Sequence, residues 1–494
     1  MLKKQTYTLT TTNQNINIEG LNERFDKVCI FDSNENVNDK KYLSSSKLIA
    51  IGATQELCID VSTNALNDLQ QFYNSKKGWL FGYLTYDLKN GIENLNSEKT
   101  DKLGFPLLHF FSPQFVFQLE NNLASVFFDD TLTSEKEAKE VFDFTFYSNT
   151  QNTTSEPEKI EIQSKISKSE YIQSVEKLKE HIRKGDIYEI NFCQEFFAEN
   201  VLINTAEIYR NLNAISGAPF AAFCKFDEHY LMCASPERFL QKRGNSLISQ
   251  PIKGTIKRSE NKEIDKQLKN ELLHNEKEKS ENVMIVDLVR NDLSRIAKKG
   301  TVRVDELFGI YSFKQVHQMI STVSCEIENA LSFADILKSM FPMGSMTGAP
   351  KISAMKLIEQ YESTKRGLYS GAVGYISPEG DFDFNVVIRS ILYNSENKYL
   401  SFMVGSAITD KAEAEQEYEE CLLKAKAMFD TLRNMSKSSW PSTKSTCRTR
   451  TSTRRAGSCT NSTCCPTTWA ATCLSWKPAP SPERASAICW MPSR

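Results

Sequence analysis

An abrupt change of composition at about Ser436 limits how much of this chain can fold. Four of the five tryptophans follow it, Glu483 is the only acidic residue there, and Arg, Ser, Thr, Pro and Cys crowd together. Large aliphatic side chains are almost absent, so this part can form no hydrophobic core. We predict that residues 436–494 are a disordered tail, from an out-of-frame read or an expression artefact after a natural end near Met435. A basic interaction tail is the alternative.

The chain as a whole has an ordinary globular composition. It has 494 residues, of which 40% are apolar and 25% charged. The net charge of -2 gives no electrostatic case for nucleic acid or an anionic membrane. No apolar run is long enough to span a bilayer and the start lacks a signal peptide, so we expect a cytoplasmic protein. No CxxC or zinc-type spacing occurs, and reduced core thiols are predicted at Cys193, Cys224, Cys233 and Cys325.

Three regions follow from the pattern of apolar residues. Residues 1–150 mix strand-like runs with polar loops, and a polar linker spans 148–165. The region 165–435 carries clearer signals. A helix begins after the serine cap Ser167 and ends at Gly185, and the strand that follows has a polar face with Glu189.

Lys253 lies at the end of a strand, within Gln250–Thr255. Gly254 lets the backbone turn or approach a ligand. The lysine is either a solvated charge or a nucleophile whose pKa a pocket lowers from about 10.4, and local sequence alone favours the solvated charge. A hairpin turn at 244–245 is predicted to bring Glu237 near Lys253.

Two helices carry pairs of carboxylates. Residues 276–298 predict a helix that is apolar nearly all round and therefore buried, with Glu278 and Glu281 one turn apart at its start. Buried carboxylates cost several kcal/mol unless they are paired or hold a cation. The last helix places Glu417 and Glu420 on one face, with Lys424 one turn beyond. For this helix alone, a solvated surface is the favoured interpretation.

A loop rich in Gly, Ser and Thr spans Phe341–Lys351 and includes Thr347 and Gly348. Backbone N–H groups, hydroxyls and the start of a helix together favour an anion site, here for a carboxylate. The pattern is weak alone, and it does not match the spacing of a P-loop.

Residues 165–435 resemble the chorismate-utilising enzymes through an ordered series of motifs. The family comprises anthranilate synthase component I, aminodeoxychorismate synthase component I, and the isochorismate and salicylate synthases. A weaker resemblance covers GWLFGYLTYDL in residues 1–150. The implied fold is α+β, with two large, mainly antiparallel sheets packed with helices around a central active site. The motifs, in order, are GDIYEIN, SPERF, PIKGT, ENVMIVDLVRND, GSMTGAPK, GAVGY, VVIRS and EYEECLLKAKA.

The resemblance also implies roles for individual residues. Glu281 and Glu420 match the two carboxylates that hold Mg²⁺, which in turn holds the ring carboxylate of chorismate, and Glu417 lies behind them. Glu237 matches the general acid that protonates the departing C4 hydroxyl. Contacts to the substrate are implied for Gly254, Thr255, His317, Thr347, Gly348, Tyr375, Arg389, Gly405, Ser406, Ala407 and Lys424.

Two positions separate the subfamilies. Isochorismate and salicylate synthases have a water-activating lysine where this chain has Glu189, so their chemistry is disfavoured. Anthranilate synthases have alanine where this chain has Lys253, and lysine is the mark of the aminodeoxychorismate branch. In that branch the amine attacks C2 and expels the C4 hydroxyl, and ammonia then attacks C4 and displaces the lysine. Because this requires a neutral amine, we expect burial or nearby cations to lower the pKa of Lys253.

The resemblance therefore implies amino-group transfer to C4 of chorismate, on the path to 4-aminobenzoate and folate, classed with the transaminases. The chain shows no glutaminase signature, so a separate glutaminase subunit is the expected partner and ammonia source. Two alternatives stay open: anthranilate synthase component I, and a non-catalytic scaffold that binds chorismate or a glutaminase.

Overall fold

Strands dominate the fold, and every strand pairing among the described residues is antiparallel. The structure is a computed structural model that describes residues 2–9, 16–34, 47–61, 63–76, 78–147 and 160–435. The predicted tail, 436–494, and most of the predicted linker, 148–165, lie outside these ranges.

The strands in chain order are β1 Leu2–Thr8, β2 Lys27–Asp32, β3 Lys47–Ile59, β4 Leu80–Leu84, β5 Leu108–Glu120, β6 Leu123–Asp129, β7 Gln163–Ser164, β8 Glu189–Ala198, β9 Phe220–Phe226, β10 His229–Ser235, β11 Arg238–Arg243, β12 Ser246–Gln250, β13 Ile252–Lys257, β14 Arg303–Ser312, β15 Val316–Glu326, β16 Gly348–Ala349, β17 Ala372–Ile376, β18 Phe382–Val386, β19 Ser390–Asn394 and β20 Tyr399–Ile408.

The α-helices are α1 Ile18–Arg24, α2 Ala65–Lys76, α3 Lys89–Glu93, α4 Glu135–Tyr147, α5 Lys168–Lys184, α6 Thr205–Ser216, α7 Lys262–His274, α8 Glu276–Ser294, α9 Phe333–Met340, α10 Lys351–Tyr361 and α11 Ala414–Met435. Short 3₁₀ turns cover Tyr86–Leu88 and Gly344–Met346. None of the helices in the described ranges has the length and apolar character needed to cross a bilayer.

The predicted α+β class is confirmed, and hydrogen bonds join the strands into one network in two halves. One half runs in the order β8, β20, β19, β10, β9, β2, β3 and β5. The other runs in the order β17, β18, β11, β12 and β15, with β13 and β14 also pairing with β15. Strand β4 pairs with both β5 and β17, so it joins the halves. Strands from residues 1–150 and 165–435 therefore share one sheet network.

Helices cover this network and form two hydrophobic cores with it. One core includes Val175 of α5, Phe192 of β8 and Met428 of α11. The other includes Ile285 of α8 and Phe384 of β18. Helix α11 packs on α5 and β20, while α8 packs on β13 and β15. The two acidic helices predicted from the sequence are thereby fixed against different strands.

The local signals around α5 are confirmed. The side chain of Ser167 accepts the N–H of Glu170, whose carboxylate in turn accepts the N–H of Ser167. Gly185 ends the helix with φ +84°, a left-handed conformation that glycine adopts without strain. These signals lie within a few residues of one another, so they do not depend on tertiary contacts.

Two predictions about elements are wrong in detail. Helix α8 is not buried all round: Ile285 and Val289 are buried, but Val283 is 39% exposed because only one face packs on the sheet. The apolar run at 385–390 predicts one continuous strand, but β18 ends at Val386 and β19 begins at Ser390. Between them Arg389 has φ +52°, a left-handed backbone that is strained for a non-glycine residue.

Candidate active site

Lys253 lies in a β-bulge of strand β13. The register against β15 shifts between Ile252 and Thr255, and Gly254 within the bulge has φ +87°. A side chain at Gly254 would meet Leu272 of α7 and Glu278 of α8 at 3.2 Å. The bulge interrupts the alternation of the strand and re-aims the lysine. Glycine is needed here both for the backbone angle and for the close approach of the helices.

The ammonium group of Lys253 bonds to a carboxylate at the start of β8. Its Nζ donates to Oε1 of Glu189 at 2.6 Å. Both side chains are buried, with exposed fractions of 10% for Lys253 and 1% for Glu189. The other carboxylate oxygen of Glu189, Oε2, is buried without a hydrogen-bond partner. The bulge and the edge of β8 thus bring together two residues that are distant in sequence.

Carboxylates, not cations, surround the amine of Lys253. Burial alone would lower its pKa, but the carboxylates of Glu189, Glu281 and Glu237 outweigh burial and raise the pKa above its ordinary value. The expectation that burial or nearby cations lower the pKa is therefore wrong for the chain without a metal ion. In this state Lys253 carries a proton at neutral pH.

Glu237 has the properties of a general acid. It lies between β10 and β11 and is buried, and Ser345 donates a hydrogen bond to its Oε1 at 2.6 Å. Burial raises the pKa of Glu237 to about 7, against the opposing effects of the Ser345 hydroxyl and Lys253. A carboxyl group that holds its proton near neutral pH can give that proton to a leaving hydroxyl.

Lys277 bridges the two acidic helices. Its Nζ is 3.0 Å from Oε1 of Glu417 on α11 and 3.9 Å from Oε1 of Glu281 on α8. Burial, with a smaller contribution from the neighbouring Glu278, raises the pKa of Glu281 to about 7 against the opposing effect of Lys253. Burial also raises the pKa of Glu417. Lys277 was not among the predicted site residues, although its position one helical turn before Glu281 is visible in the sequence.

Glu420 faces a second lysine on α11. Lys424 lies 2.7 Å from its Oε1 and also donates to the carbonyl oxygen of Gly405 at 2.9 Å. This lysine lowers the pKa of Glu420. Arg389 donates to the carbonyl oxygen of Lys424 at 3.4 Å, so three of the predicted substrate contacts, Arg389, Gly405 and Lys424, lie together.

The donor set fits a hard divalent cation. Oε1 of Glu281 is buried and makes no hydrogen bond. Three lysines, Lys253, Lys277 and Lys424, face the four carboxylates Glu278, Glu281, Glu417 and Glu420. Mg²⁺ prefers such oxygens and keeps several waters, so two protein ligands suffice. Glu281 and Glu420 are the residues that would hold it.

Among the described residues, a separate cluster brings together three side chains of the types that bind metal ions. It consists of Glu56, His109 and Asp227, with ligand atoms within 4.8 Å of one another. The ammonium of Lys27 already bonds to Glu56 at 2.8 Å and to Asp227 at 2.5 Å. A lysine therefore supplies the positive charge of this cluster.

The hydroxyls of the loop at 341–351, which we predicted to bind an anion, instead donate hydrogen bonds to oxygens of the protein. Ser345 donates to Glu237, and Thr347 donates to the carbonyl oxygen of Met343 at 3.0 Å. Gly348 has φ +146°, and a side chain there would collide with the carbonyl oxygen of Glu189. The loop thus supports both Glu237 and Glu189. The predicted substrate contacts of Thr347 and Gly348 stay predictions.

The Gly405–Ala407 segment of β20 lies beside β8. A side chain at Gly405 would meet Sγ of Cys193 at 2.5 Å, so glycine is required by packing. The hydroxyl of Ser406 is 2.8 Å from that of Tyr171 in the core. Ala407 is buried opposite Asn191. The substrate contacts of Gly405, Ser406 and Ala407 stay predictions.

The remaining predicted contacts lie on separate elements. Thr255 opposes Gln318, and the ring of His317 bonds to Ser312 at 2.8 Å and Asp265 at 3.1 Å. Tyr375 lies in an aromatic group with Trp79, at a centroid distance of 5.8 Å, and its hydroxyl accepts from Arg243 at 3.3 Å. The substrate roles of Thr255, His317 and Tyr375 stay predictions.

A model of the chorismate binding enzyme family matches residues 26–430. The chain belongs to this family. Aminodeoxychorismate synthase component 1 from Bacillus subtilis is 32% identical over 376 residues, covering 71% of this chain and 76% of the relative. Anthranilate synthase component 1 from Acetivibrio thermocellus is 33% identical over 373 residues, covering 72% and 75%. The chain is thus equally similar to relatives named for two different chorismate products.

Solved structures of the chorismate binding family agree with the fold. Anthranilate synthase component I from Streptococcus pneumoniae superposes with a TM-score of 0.68 at 28% identity, covering 77% of this chain and 91% of that one. The family match extends into residues 26–150, where the sequence motifs gave only a weaker resemblance. Strand β4 pairs with β17, so the two matched regions also share one sheet network.

Proposed function

We propose that this chain converts chorismate and ammonia to 4-amino-4-deoxychorismate. The observation that carries the proposal is the buried primary amine of Lys253, held in a bulge with Glu237 and Glu281 as electrostatic neighbours. An amine in such a site can form a covalent bond to a substrate carbon. The Bacillus subtilis relative named aminodeoxychorismate synthase component 1 supports the same product.

The proposed reaction has two displacements. The nitrogen of Lys253 bonds to C2 of the ring, and the C4–O bond breaks as Glu237 gives its proton to the departing hydroxyl, which leaves as water. Ammonia then bonds to C4 while the bond from C2 to the lysine breaks. The net change is chorismate plus ammonia to 4-amino-4-deoxychorismate plus water.

Charged residues around the pocket would hold the substrate carboxylates. Mg²⁺ bound by Glu281 and Glu420 would supply positive charge for the ring carboxylate. Arg389 and Lys424 are cations suited to the second carboxylate, since both donate strong hydrogen bonds to such groups. We propose a glutaminase subunit as the source of ammonia, and 4-aminobenzoate and folate as the products downstream.

The second candidate is anthranilate formation, which places nitrogen on C2. It is favoured by the Acetivibrio thermocellus relative, which carries that name at similar identity. The presence of Lys253 argues against it, because direct attack of ammonia on C2 needs no protein amine and the lysine would occupy its path.

Product identity tests the proposal. The purified chain is incubated with chorismate, MgCl₂ and an ammonium salt, and the products are separated by chromatography and identified by mass. We expect 4-amino-4-deoxychorismate. Anthranilate as the main product would establish the rival reaction, and tight binding of chorismate without turnover would establish a scaffold.

A further inference from the structure

We propose that Glu189 is a catalytic residue, which accepts a proton from Lys253 as the amine attacks and returns it as the lysine leaves. The inference rests on the proposed function, because it assigns a base to the covalent step. Glu189 occupies the position at which the isochorismate and salicylate synthases carry a water-activating lysine. Here the same position serves the nucleophile instead of a water molecule.

The geometry of the pair suits direct proton transfer. Oε1 of Glu189 is 2.6 Å from Nζ of Lys253, within the range of a general base and its substrate. The exposed fraction of the Glu189 side chain is 1%, so bulk water does not compete for the proton. Oε2 has no partner, so no second donor fixes this carboxylate in its charged form.

A base is needed because Lys253 rests as an ammonium, which has no lone pair. The charged groups that face the pair are Glu237 between β10 and β11, Glu278 and Glu281 of α8, and Glu420 of α11. Glu237 must carry its own proton to the leaving hydroxyl, and Glu281 is assigned to the metal. Glu189 contacts the amine directly and has no other assigned role, so it is the carboxylate that can act as the base.

A substrate in the pocket favours the transfer, because it displaces the water that reaches the 10% exposed side chain of Lys253. Two buried opposite charges lose their hydration, whereas an amine beside a carboxylic acid buries none. Loss of water therefore moves the proton from Lys253 toward Glu189. The buried ion pair holds the nucleophile as an ammonium until chorismate enters.

The protons balance over the cycle. In the first step an N–H bond of Lys253 breaks, its proton moves to Oε1 of Glu189, the N–C2 bond forms, and water leaves with the proton of Glu237. In the second step ammonia bonds to C4 and the C2–N bond breaks. The released amine takes its proton back from Glu189, and the new C4 ammonium returns a proton to Glu237.

The test isolates the first step by omitting ammonia. The full-length chain is mixed with chorismate and MgCl₂, quenched at intervals between pH 6 and pH 9, and the fraction of protein carrying a covalent adduct is measured by intact mass. The variants are Glu189→Gln and Glu189→Asp. Glu195→Gln is the matched control, because Glu195 is buried on the same strand and bonds to Tyr399 and Ser401 instead of Lys253.

The pH dependence of the ratio between variant and wild type decides the result. Glu189→Gln is expected to form the adduct at least about tenfold more slowly at pH 7, with the ratio rising about tenfold per pH unit as solvent removes the proton instead. Glu189→Asp, which keeps a base, should recover part of the rate, and Glu195→Gln should match the wild type. Taking a ratio cancels the effect of Glu237.

Electrostatics alone predicts the opposite sign. Removing the charge of Glu189 makes Lys253 easier to deprotonate, so a Glu189→Gln variant that reacts as fast as the wild type, or faster, overturns the inference. A slower rate by the same factor at every pH also overturns it, since that describes a purely structural role. If the wild type forms no adduct at Lys253, the proposed function itself fails.

Discussion

Two buried ion pairs touch strand β8, and they differ in how completely their charges are satisfied. Arg366 donates to both carboxylate oxygens of Glu362, at 2.6 and 2.9 Å, and to the carbonyl oxygens of Asn191 and Met346, at 2.8 and 2.6 Å. Glu362 also accepts the N–H of Cys193 at 2.9 Å.

The charges of the Lys253–Glu189 pair are only partly satisfied by hydrogen bonds. One oxygen of Glu189 has no partner, and the lysine has an excess of carboxylates near it. A fully bonded buried pair fixes structure, since neither charge can move without leaving a group unpaired. A buried pair that is only partly hydrogen-bonded lowers the stability of the fold, but it allows a proton to move and a substrate to bind. The difference is that the first pair holds β8 to the loop at 341–351, while the second is the pair to which we assign the proposed chemistry.

Removing the reactive amine should give the largest effect on activity. Lys253→Ala is expected to lower the rate of 4-amino-4-deoxychorismate formation by at least about a thousandfold, because the first displacement loses its nucleophile. The rate is measured with chorismate, MgCl₂ and ammonium, together with any anthranilate formed. Thermal melting should show a folded protein, and normal output of the 4-amino product would refute the account of this pair.

Breaking the structural pair should instead cost stability. Arg366→Met leaves the buried carboxylate of Glu362 with only the N–H of Cys193 as a donor and removes the guanidinium donor from two carbonyl oxygens. We expect a loss of about 3–5 kcal/mol in the free energy of unfolding by urea. Arg290→Met is the matched control, since Arg290 is an exposed residue of α8 and should change stability by less than about 0.5 kcal/mol. Equal stability of the two variants would mean that the contacts of Arg366 contribute little.

Neutralising Glu281, a carboxylate near Lys253, should stabilise the protein. The pKa of Glu281 is raised from 4.5 to about 7, so folding loses stability as pH rises through that interval, and the penalty is complete above about pH 7. Glu281→Gln should therefore gain about 1–3 kcal/mol at pH 8 without Mg²⁺, and almost nothing at pH 5.

Urea unfolding at both pH values, with EDTA present, measures this gain. The same variant should lose its dependence on MgCl₂ and most of its activity. An equal gain at pH 5 and pH 8 would show that packing, and not charge, is responsible.

The smallest expected effect concerns the general acid. The hydroxyl of Ser345 stabilises the charged form of Glu237, so Ser345→Ala should raise the pKa of Glu237 further. Because the protonated form is active, the fall of kcat/KM at alkaline pH should move upward by about 0.5–1 pH unit. Ser339→Ala is the control, as this buried hydroxyl bonds to the carbonyl oxygen of Asp292. An unchanged pH profile would remove Glu237 from the role of acid.

Sequence reasoning succeeded where signals are local. The cap at Ser167 and the hairpin turn at 244–245 each depend on neighbours in the chain. The predicted strand end at Lys253 is wrong, because β13 runs on from Ile252 to Lys257 through the bulge at Gly254. Sequence reasoning also failed on the sign of the pKa shift of Lys253, because that sign is set by Glu189, which reaches the amine only through the sheet. The bridge from Lys277 to Glu417 likewise depends on how α8 and α11 pack.

Single residues also escaped prediction for physical reasons. The apolar sequence around Arg389 favours a continuous strand, yet the backbone turns there into a left-handed conformation that only the surrounding structure can stabilise. Asp265, which fixes the ring of His317, lies on α7, a helix that the sequence analysis left unassigned. Both are tertiary effects on residues whose local patterns point elsewhere.

The most direct test of the central claim is to find the substrate on Lys253. The chain is incubated with chorismate and MgCl₂ without ammonia, digested, and its peptides are sequenced by mass spectrometry. We predict a chorismate-derived addition on the peptide containing Lys253, which disappears when ammonium is added as 4-amino-4-deoxychorismate appears. Formation of the 4-amino product with that peptide unmodified at every time point would contradict the account.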